Sequence, residues 1–280
     1  MVRETVAPYR GVFGAPRPAA LASLALPPAA MAPRQGLRPL KAWRYVGVYG
    51  PELMLCIGSA RVGPARQAFW AVWDRVTGRL HERTAIGGGA VSLGTGFARV
   101  DDRDIKLELG LEETAGVETI APAGDAYAWT RKQGGVRAIG TVEIDGAVRR
   151  VNARAVIDDT AGYYPRHTHW RWSAGVGHTE EGRELAWNLV AGVNDAPSGS
   201  ERTVWVDGRP EEVGPCSFAA DLGAVDGLQF RSEAVRARRD NLLLVRSSYR
   251  QPFGTFRGEL PGGLRLAEGY GVMEEHDAWW

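Results

Sequence analysis

Short runs of alternating apolar and polar residues fill the chain from Trp43 onward, and they constrain the fold more than any other feature. The clearest run, RDIKLELGL, places its aliphatic residues on one side of an extended chain: Ile105, Leu107, Leu109 and Leu111. The breaks at Asp145-Gly146 and Asp207-Gly208 suit the positive φ angles of tight hairpins. No run is followed by a long amphipathic helix. The sequence therefore predicts an all-β fold of antiparallel barrels or sandwiches.

One segment allows two interpretations. TEEGRELAWNLVAG resembles a capped helix that starts at Thr179, but Gly182 interrupts it. Trp187, Leu189 and Ala191 fit one face of a strand. We predict a turn followed by a strand.

Changes in composition divide the chain into three parts. Residues 1–40 are rich in Pro, Ala and Gly without a sustained period, and we predict an irregular N-terminal arm packed on the body. Residues 41–157 read as successive hairpins of an N-terminal β-barrel domain, and residues 158–280 as a C-terminal β-barrel domain. Pro165 cannot donate to a strand ladder, so a central strand should begin after it.

The overall composition excludes several partners. The 280 residues are 44% hydrophobic and 24% charged with a formal charge of +1, which indicates a soluble globular protein without attraction for nucleic acid or anionic membranes. Arginine is the common base, with 31 residues against 3 lysines. Cys56 and Cys216 are predicted to be reduced and buried, as in a cytoplasmic protein. The apolar stretch at residues 19–32 is short and broken by prolines, so no membrane span is predicted.

The segment DDTAGYYPRHTHWRWSAG, residues 158–175, concentrates ionisable and aromatic side chains. If a strand follows Pro165, His167, His169, Arg171 and Ser173 share one face, and Arg166, Thr168, Trp170 and Trp172 share the other. Neither face is plainly a solvent face, so both are expected to be covered. We predict that this strand borders a mostly apolar ligand pocket between two layers.

The paired histidines leave four roles open. They could hold a metal ion with Asp159, His178 or His276, although no closely spaced third ligand supports this and we predict no metal. They could act as general acid or base, anchor a ligand without reaction, or simply be hydrogen-bonded within the structure. For a single histidine the last role is the commonest.

The tryptophans fall into two groups. Trp43, Trp70, Trp73 and Trp129 are predicted to be core and hairpin anchors. The others cluster near the predicted pocket, where indole faces would bind an apolar ligand or stabilise a developing cation: Trp170, Trp172, Trp187 and Trp205.

Polar residues on later segments complete the predicted site. Asn188 lies on the strand that follows the central segment, and Glu201 would need a partner such as Arg171 if it points inward. The chain ends in EGYGVMEEHDAWW, which predicts a closing strand that brings Glu275 or His276 to the site. No Gly-x-Ser-x-Gly elbow and no phosphate-loop ending are present, so nucleophilic hydrolysis and nucleotide binding have no support.

Several longer segments together resemble an uncharacterised bacterial family, domain of unknown function 2804. They are WRYVGVYGPELML, FWAVWDRVTG, DDTAGYYPRHTHWRWSAG, AWNLVAGVNDAPSGSERTVWVDGR and GYGVMEEH. That family is distantly similar to a lipocalin-like group that includes carotenoid 1,2-hydratases and fungal cyclases of the Diels-Alder type. The resemblance implies two consecutive β barrels with a pocket near their junction. It also implies that residues 167–172, with Asp158 and Asp159 upstream, correspond to the hydratase segment that protonates an alkene.

These observations predict a cofactor-free lyase, isomerase or cyclase that acts on an apolar, isoprenoid- or polyketide-like molecule. A lipid or small-molecule carrier is the alternative, and a metal-dependent hydrolase that uses His-x-His is a third possibility. The predicted catalytic residues are Asp158, Asp159, Tyr164, His167 and His169. The predicted substrate-binding residues are Trp170, Arg171, Trp172, Trp187, Asn188, Glu201, Trp205, Glu275 and His276.

Overall fold

The computed structural model of the chain describes residues 6–87, 89–242 and 245–280. Within them the only helical element is a 3-10 turn, Ala19–Leu21, and all other regular elements are strands. The strands are β1 (Tyr9–Val12), β2 (Arg34–Gln35), β3 (Arg38–Pro39), β4 (Lys41–Tyr49), β5 (Leu53–Val62), β6 (Ala65–Asp74), β7 (Arg79–Ile86), β8 (Val91–Gly94), β9 (Phe97–Asp101), β10 (Ile105–Leu111), β11 (Val117–Ala123), β12 (Ala126–Ile144), β13 (Ala147–Gly162), β14 (His167–His178), β15 (Glu184–Ala191), β16 (Thr203–Val206), β17 (Arg209–Glu212), β18 (Ala224–Val225), β19 (Leu228–Leu242), β20 (Val245–Leu260) and β21 (Leu264–Trp279).

Two antiparallel sheets follow one another along the chain. The first has the order β7-β6-β5-β4-β13-β12-β10-β9-β8, with β11 and β1 added beside β12, and it curls until β8 contacts β5 and β6. The second has the order β17-β16-β15-β14-β21-β20-β19-β18. The all-β, antiparallel prediction is confirmed.

Three apolar layers stabilise the two sheets: one core inside each sheet and one layer between them. Val46, Leu107 and Ile157 belong to the core inside the first sheet, and Trp187, Phe256 and Met273 to the core inside the second. A middle layer packs the sheets together, with Tyr45, Tyr49 and Met54 from the first against Trp172, Phe253 and Val272 from the second. Since β4 and β13 face β14 and β21 across this layer, any pocket in it is built from both sheets.

Local signals behave as the sequence predicts. β10 alternates strictly between buried and exposed residues, and the hairpins at Asp145-Gly146 and Asp207-Gly208 adopt positive φ at both residues. The ambiguous TEEG segment forms a turn with Gly182 at φ 82°, after which β15 begins at Glu184. β14 starts at His167, directly after the Pro165 region.

The junction between the sheets lies slightly later than the predicted boundary before residue 158. β13 continues through Asp158 and Asp159 to Gly162, so both aspartates belong to the first sheet, and residues 163–166 lead to the second. The division of the chain into two independent domains remains a prediction. No helix among the described residues is long and apolar enough to cross a membrane.

The N-terminal arm is attached through a buried ion pair. Residues 1–5 of the predicted arm lie outside the described residues, and the remainder contributes β1, which pairs with β11. Arg17 donates to both oxygens of Glu118, at 3.0 and 2.6 Å, and Trp129 Nε1 donates to the same carboxylate at 2.5 Å. Glu118 is completely buried, so its charge depends on these donors.

We expect Arg17→Ala to lower the free energy of unfolding by about 1–3 kcal/mol, because Glu118 then keeps too few donors for a buried charge. Urea unfolding measures the loss, and limited proteolysis should show faster cleavage within the arm. Arg34→Ala, at an exposed arginine of the same arm, is the matched control and should change neither measurement. Equal stability of both variants would contradict a role for this ion pair in holding the arm.

Candidate active site

A cavity of about 300 Å³ lies in the middle layer, between the two sheets. The first sheet lines it with residues such as Trp43, Tyr45 and Phe69, and the second with Trp172 and Val190. Most of the wall is apolar, and a small number of ionisable side chains interrupt it. Enclosed apolar surfaces with few convergent polar groups are typical of small-molecule sites.

A buried lysine joins two carboxylates at one wall of this cavity. Lys132 Nζ lies 2.5 Å from Asp158 Oδ1 and 3.2 Å from Glu201 Oε1, and all three side chains are buried. Burial by itself would lower the pKa of Lys132, but the two carboxylates raise it above its ordinary value. Trp43 Nε1 donates to Asp158 at 3.1 Å, and Asn194 Nδ2 donates to Glu201 at 3.1 Å. The lysine is therefore a fixed cation that compensates buried negative charge.

Glu274 differs from Asp158 and Glu201, because it does not share an ion pair with Lys132. It is buried in the cavity wall, where it accepts hydrogen bonds from Trp170 Nε1 and from Gln251 Nε2, both at 2.9 Å. Burial raises its pKa to about 7, and the negative charge of Asp158 acts in the same direction. No cation lies within ion-pair distance of it among the described residues. Near neutral pH Glu274 thus holds a proton that it can give up.

A row of aromatic rings runs between these two carboxyl groups. The indoles of Trp43 and Trp170 stack with centroids 6.3 Å apart and planes 2° from parallel, and Tyr164 also stacks on Trp43 with centroids 5.7 Å apart. Trp43 donates to Asp158 whereas Trp170 donates to Glu274, so each indole orients one acid. The π faces beside these acids would stabilise a positive charge that develops on a ligand.

His276 is a neutral base in the same wall. Burial lowers its pKa to about 4, and its Nε2 lies 2.7 Å from the Ser247 hydroxyl. Its ring packs 4.3 Å from that of Trp170. It can therefore exchange hydrogen bonds, and with them a proton, through Ser247 without carrying a permanent charge.

The structure brings five of the predicted residues to the cavity: Asp158, Trp170, Trp172, Glu201 and His276. Two other predicted residues, Asn188 and Tyr164, do not line the cavity but form hydrogen bonds to residues that do. Asn188 accepts from Trp172 Nε1 at 2.8 Å and donates to the backbone oxygen of Glu201 at 3.0 Å. The hydroxyl group of Tyr164 bonds to the Asn194 side chain, and burial raises the pKa of the phenol well above its ordinary value.

Five other predicted residues lie away from the cavity, on the opposite faces of the strands that line it. His167 contacts Asp277 at 3.1 Å, and Glu275 binds Arg171 at 2.8 Å with His169 3.4 Å away. The prediction that both faces of β14 are covered is wrong at its first residues, because both histidines are about 45% exposed. Asp159 also points away from the cavity, into an ion pair with Arg44. The predicted position of His167, His169 and Asp159 in the pocket is therefore not what the structure shows, and their catalytic roles remain predictions.

Three tryptophan assignments and one pairing also change. Trp187 is completely buried in the core of the second sheet and Trp205 packs in the middle layer, so neither lines the cavity. Trp43, predicted as a structural anchor, does line it. The partner of Glu201 is Lys132 rather than Arg171.

Sequence reasoning missed Lys132 and Glu274, which the structure places in the cavity wall. The pairing of β14 with β21 identifies Glu274 as the acid that faces the cavity. Trp172 pairs with Glu274 and Trp170 pairs with His276, whereas Arg171 pairs with Glu275. Residues directly opposite each other share a face, so the acid beside the two tryptophans is Glu274. No group of three or more potential metal ligands occurs among the described residues, and the two histidines of His-x-His contact different carboxylates.

Comparison with known proteins places the chain in a family. The model of the family described as Domain of unknown function (DUF2804) matches residues 90–280, well over half of the chain. The chain belongs to the DUF2804 family. Comparison with curated proteins finds no match for this DUF2804 protein.

Comparison with solved structures finds similarities at low sequence identity. A putative AttH from Nitrosomonas europaea is 15% identical with a TM-score of 0.51, over 90% of the DUF2804 chain and 98% of that chain. Kievitone hydratase from Nectria haematococca is 11% identical with a TM-score of 0.49, over 84% and 88% of the two chains. CghA with Sch210972 is 12% identical with a TM-score of 0.44, over 97% of each chain. The likeness to the AttH structure shows that the DUF2804 protein shares this lipocalin-like β fold.

Proposed function

We propose that this DUF2804 protein is a cofactor-free enzyme that protonates an apolar small molecule and completes a hydration, cyclisation or isomerisation in the cavity. One observation carries the proposal: Glu274 is a carboxyl group with its pKa raised to about 7, in an apolar wall and in contact with a tryptophan. A general acid works best when its pKa lies near the working pH. The isoprenoid- or polyketide-like character of the substrate is inferred from the size and apolar wall of the cavity.

The proposed reaction starts with proton transfer from Glu274 to one carbon of a carbon–carbon double bond, which leaves a cation on the neighbouring carbon. The indoles of Trp43, Trp170 and Trp172 and the ionised carboxylates of the Lys132 cluster stabilise that cation. Trp170 and Gln251 donate to the Glu274 carboxylate that is left behind. In a hydration, water adds to the cation and its proton returns to Glu274. In a cyclisation or isomerisation, the same carboxylate takes a proton from carbon instead.

A carrier without chemistry is the second candidate, because the cavity wall is mostly apolar and most of the ionisable groups in it already have partners within the protein. The two functions differ in one measurable respect. An enzyme of the proposed kind transfers a solvent-derived proton to carbon, whereas a carrier returns its ligand unchanged.

The test is incubation of the purified protein with a small-molecule extract of its source organism in D₂O. The proposed function is supported if mass spectrometry finds a compound that gains one non-exchangeable deuterium, with heat-denatured protein as the control. A parallel reaction in H₂¹⁸O separates hydration from cyclisation and isomerisation. Extraction of an unchanged ligand without any deuterium uptake would establish the carrier and overturn the enzyme.

A further inference from the structure

Two of the three lysines of the chain, Lys41 and Lys132, line the cavity. Lys132 is neutralised by two carboxylates, but Lys41 is not. Lys41 begins β4, is 1% exposed, and donates from Nζ to the backbone oxygen of Tyr164 at 2.7 Å. No carboxylate lies within ion-pair distance of it among residues 6–87, 89–242 and 245–280.

The cations that line the cavity differ in whether they have a carboxylate partner. Arg44, Lys132, Arg236 and Arg238 each have a carboxylate partner within the protein. In the described part of the chain, the cations of the wall without one are Lys41, Arg61 and Arg66. Arg61 and Arg66 are paired residues of the β5–β6 hairpin, and Val62 beside Arg61 pairs with Lys41. All three therefore lie close together in the first sheet, where β4 begins, β5 ends and β6 begins.

A buried ammonium group without a counter-charge is unfavourable. Burial lowers the pKa of Lys41 to about 8, and the nearby charge of Arg38 adds to the effect. The group nevertheless remains mainly protonated at neutral pH, held by one carbonyl oxygen and by the face of Trp280, whose ring centroid lies 5.6 Å from Nζ. An anionic group on a ligand would supply the missing counter-charge.

The contacts between Lys41 and Glu274 indicate how such a ligand would lie. Lys41 contacts Trp280, whose ring neighbours His276, which in turn packs on Trp170, the donor to Glu274. The rings of Trp280, His276 and Trp170 thus connect the ammonium group of Lys41 to the carboxyl group of Glu274. An amphipathic molecule with one charged end would extend along these rings.

We propose that the ligand of this cavity carries a carboxylate, which Lys41 binds while Arg61 and Arg66 attract it at the mouth. The proposal names a substrate class for the same cavity, and it rests on the proposed function for that choice of site. It needs no proton transfer, so binding alone tests it.

Geranate and geraniol are suitable probes, because they share one isoprenoid skeleton and differ at the charged end. We expect geranate to bind the wild-type protein at least about tenfold more tightly than geraniol, as measured by calorimetry and by quenching of tryptophan fluorescence. The affinity for geranate should fall as the pH rises through about 8, where Lys41 loses its proton. The affinity for geraniol should remain constant over the same range.

Lys41→Met removes the charge and keeps an apolar side chain of similar length. It should weaken geranate binding about tenfold or more, leave geraniol binding unchanged and abolish the pH dependence near 8. Lys106→Met, at the exposed lysine of β10, is the matched control and should change none of these values.

Equal affinity for the two probes, no binding of either, or full geranate affinity in Lys41→Met would each overturn the proposal. The comparison of probes in the wild-type protein remains decisive even if the variant does not fold. A failure to transfer deuterium would refute the proposed enzyme but leave the preference for geranate intact, so the two failures are distinguishable.

Discussion

Replacing Glu274 by glutamine is expected to reduce turnover by about two to four orders of magnitude, because general acids contribute effects of that size. Glutamine has nearly the same shape, and its oxygen can still accept the hydrogen bond from Trp170. Gln251 can rotate its own amide to meet the new NH₂ group. The fold should therefore be retained, and thermal unfolding provides the check.

The pH dependence follows from the same group. In the wild-type enzyme kcat/KM should fall as the pH rises through about 7, where Glu274 loses its proton. The raised pKa also means that the folded protein binds this proton more tightly than the unfolded chain does. Stability from this group is complete below the ordinary pKa of 4.5 and is lost as the pH rises through about 7. In Glu274→Gln this part of the pH dependence of stability should disappear.

Neighbouring residues provide matched controls for this variant. Glu275→Gln changes the next residue of β21, and His169→Ala changes a residue that contacts Glu275. Both side chains are partly exposed and away from the cavity, so each substitution should leave turnover near the wild-type value. A fully active Glu274→Gln, or a large loss in either control, would contradict the assignment of the acid.

Lys132→Met is expected to produce the largest loss of stability among these variants. It leaves Asp158 and Glu201 buried without their shared cation, and breaking a buried pair in this way costs about 3–5 kcal/mol. Burial already raises the pKa of Glu201, and removal of the lysine should raise it further. The loss, measured by urea unfolding, should therefore be greater at pH 8 than at pH 5.

The control for Lys132→Met is a triple variant that also carries Asp158→Asn and Glu201→Gln. It removes the positive charge together with both negative charges, so no uncompensated ion remains in the wall, and much of the lost stability should return. If the triple variant is no more stable than Lys132→Met alone, loss of packing rather than of charge compensation explains the effect.

The all-β fold could be predicted from the sequence because the alternation of apolar residues and the turn residues determine the conformation of their immediate neighbours. The strict pattern of β10 and the Asp-Gly hairpins report the conformation of neighbouring residues, and that conformation is what the structure shows. The start of β14 after Pro165 was predictable for the same reason, since a residue without an N–H group cannot donate to a strand ladder.

The candidate site could be predicted only in part, because its composition depends on how strands distant in sequence pack together. The alternation in β14 correctly separates the two tryptophans from the two histidines, but it does not say which face meets the other sheet. Lys132 reaches Glu201 from a strand of the other sheet, and no local pattern reports that contact. Trp187 and Trp205 lie near the central segment in sequence, but the strands that carry them direct their side chains to packed layers.

The stacked indoles of Trp43 and Trp170 belong to different sheets, and each donates to a carboxyl group of its own sheet. The separation of Asp158 and Glu274 is consequently set by how the two sheets dock, rather than by either sheet alone. A substitution anywhere in the docking surface could shift one sheet against the other and move the proton donor relative to the anionic cluster while leaving both sets of hydrogen bonds intact. Such changes would alter which carbon of a substrate is protonated, so new product outcomes could arise without any change of catalytic residue.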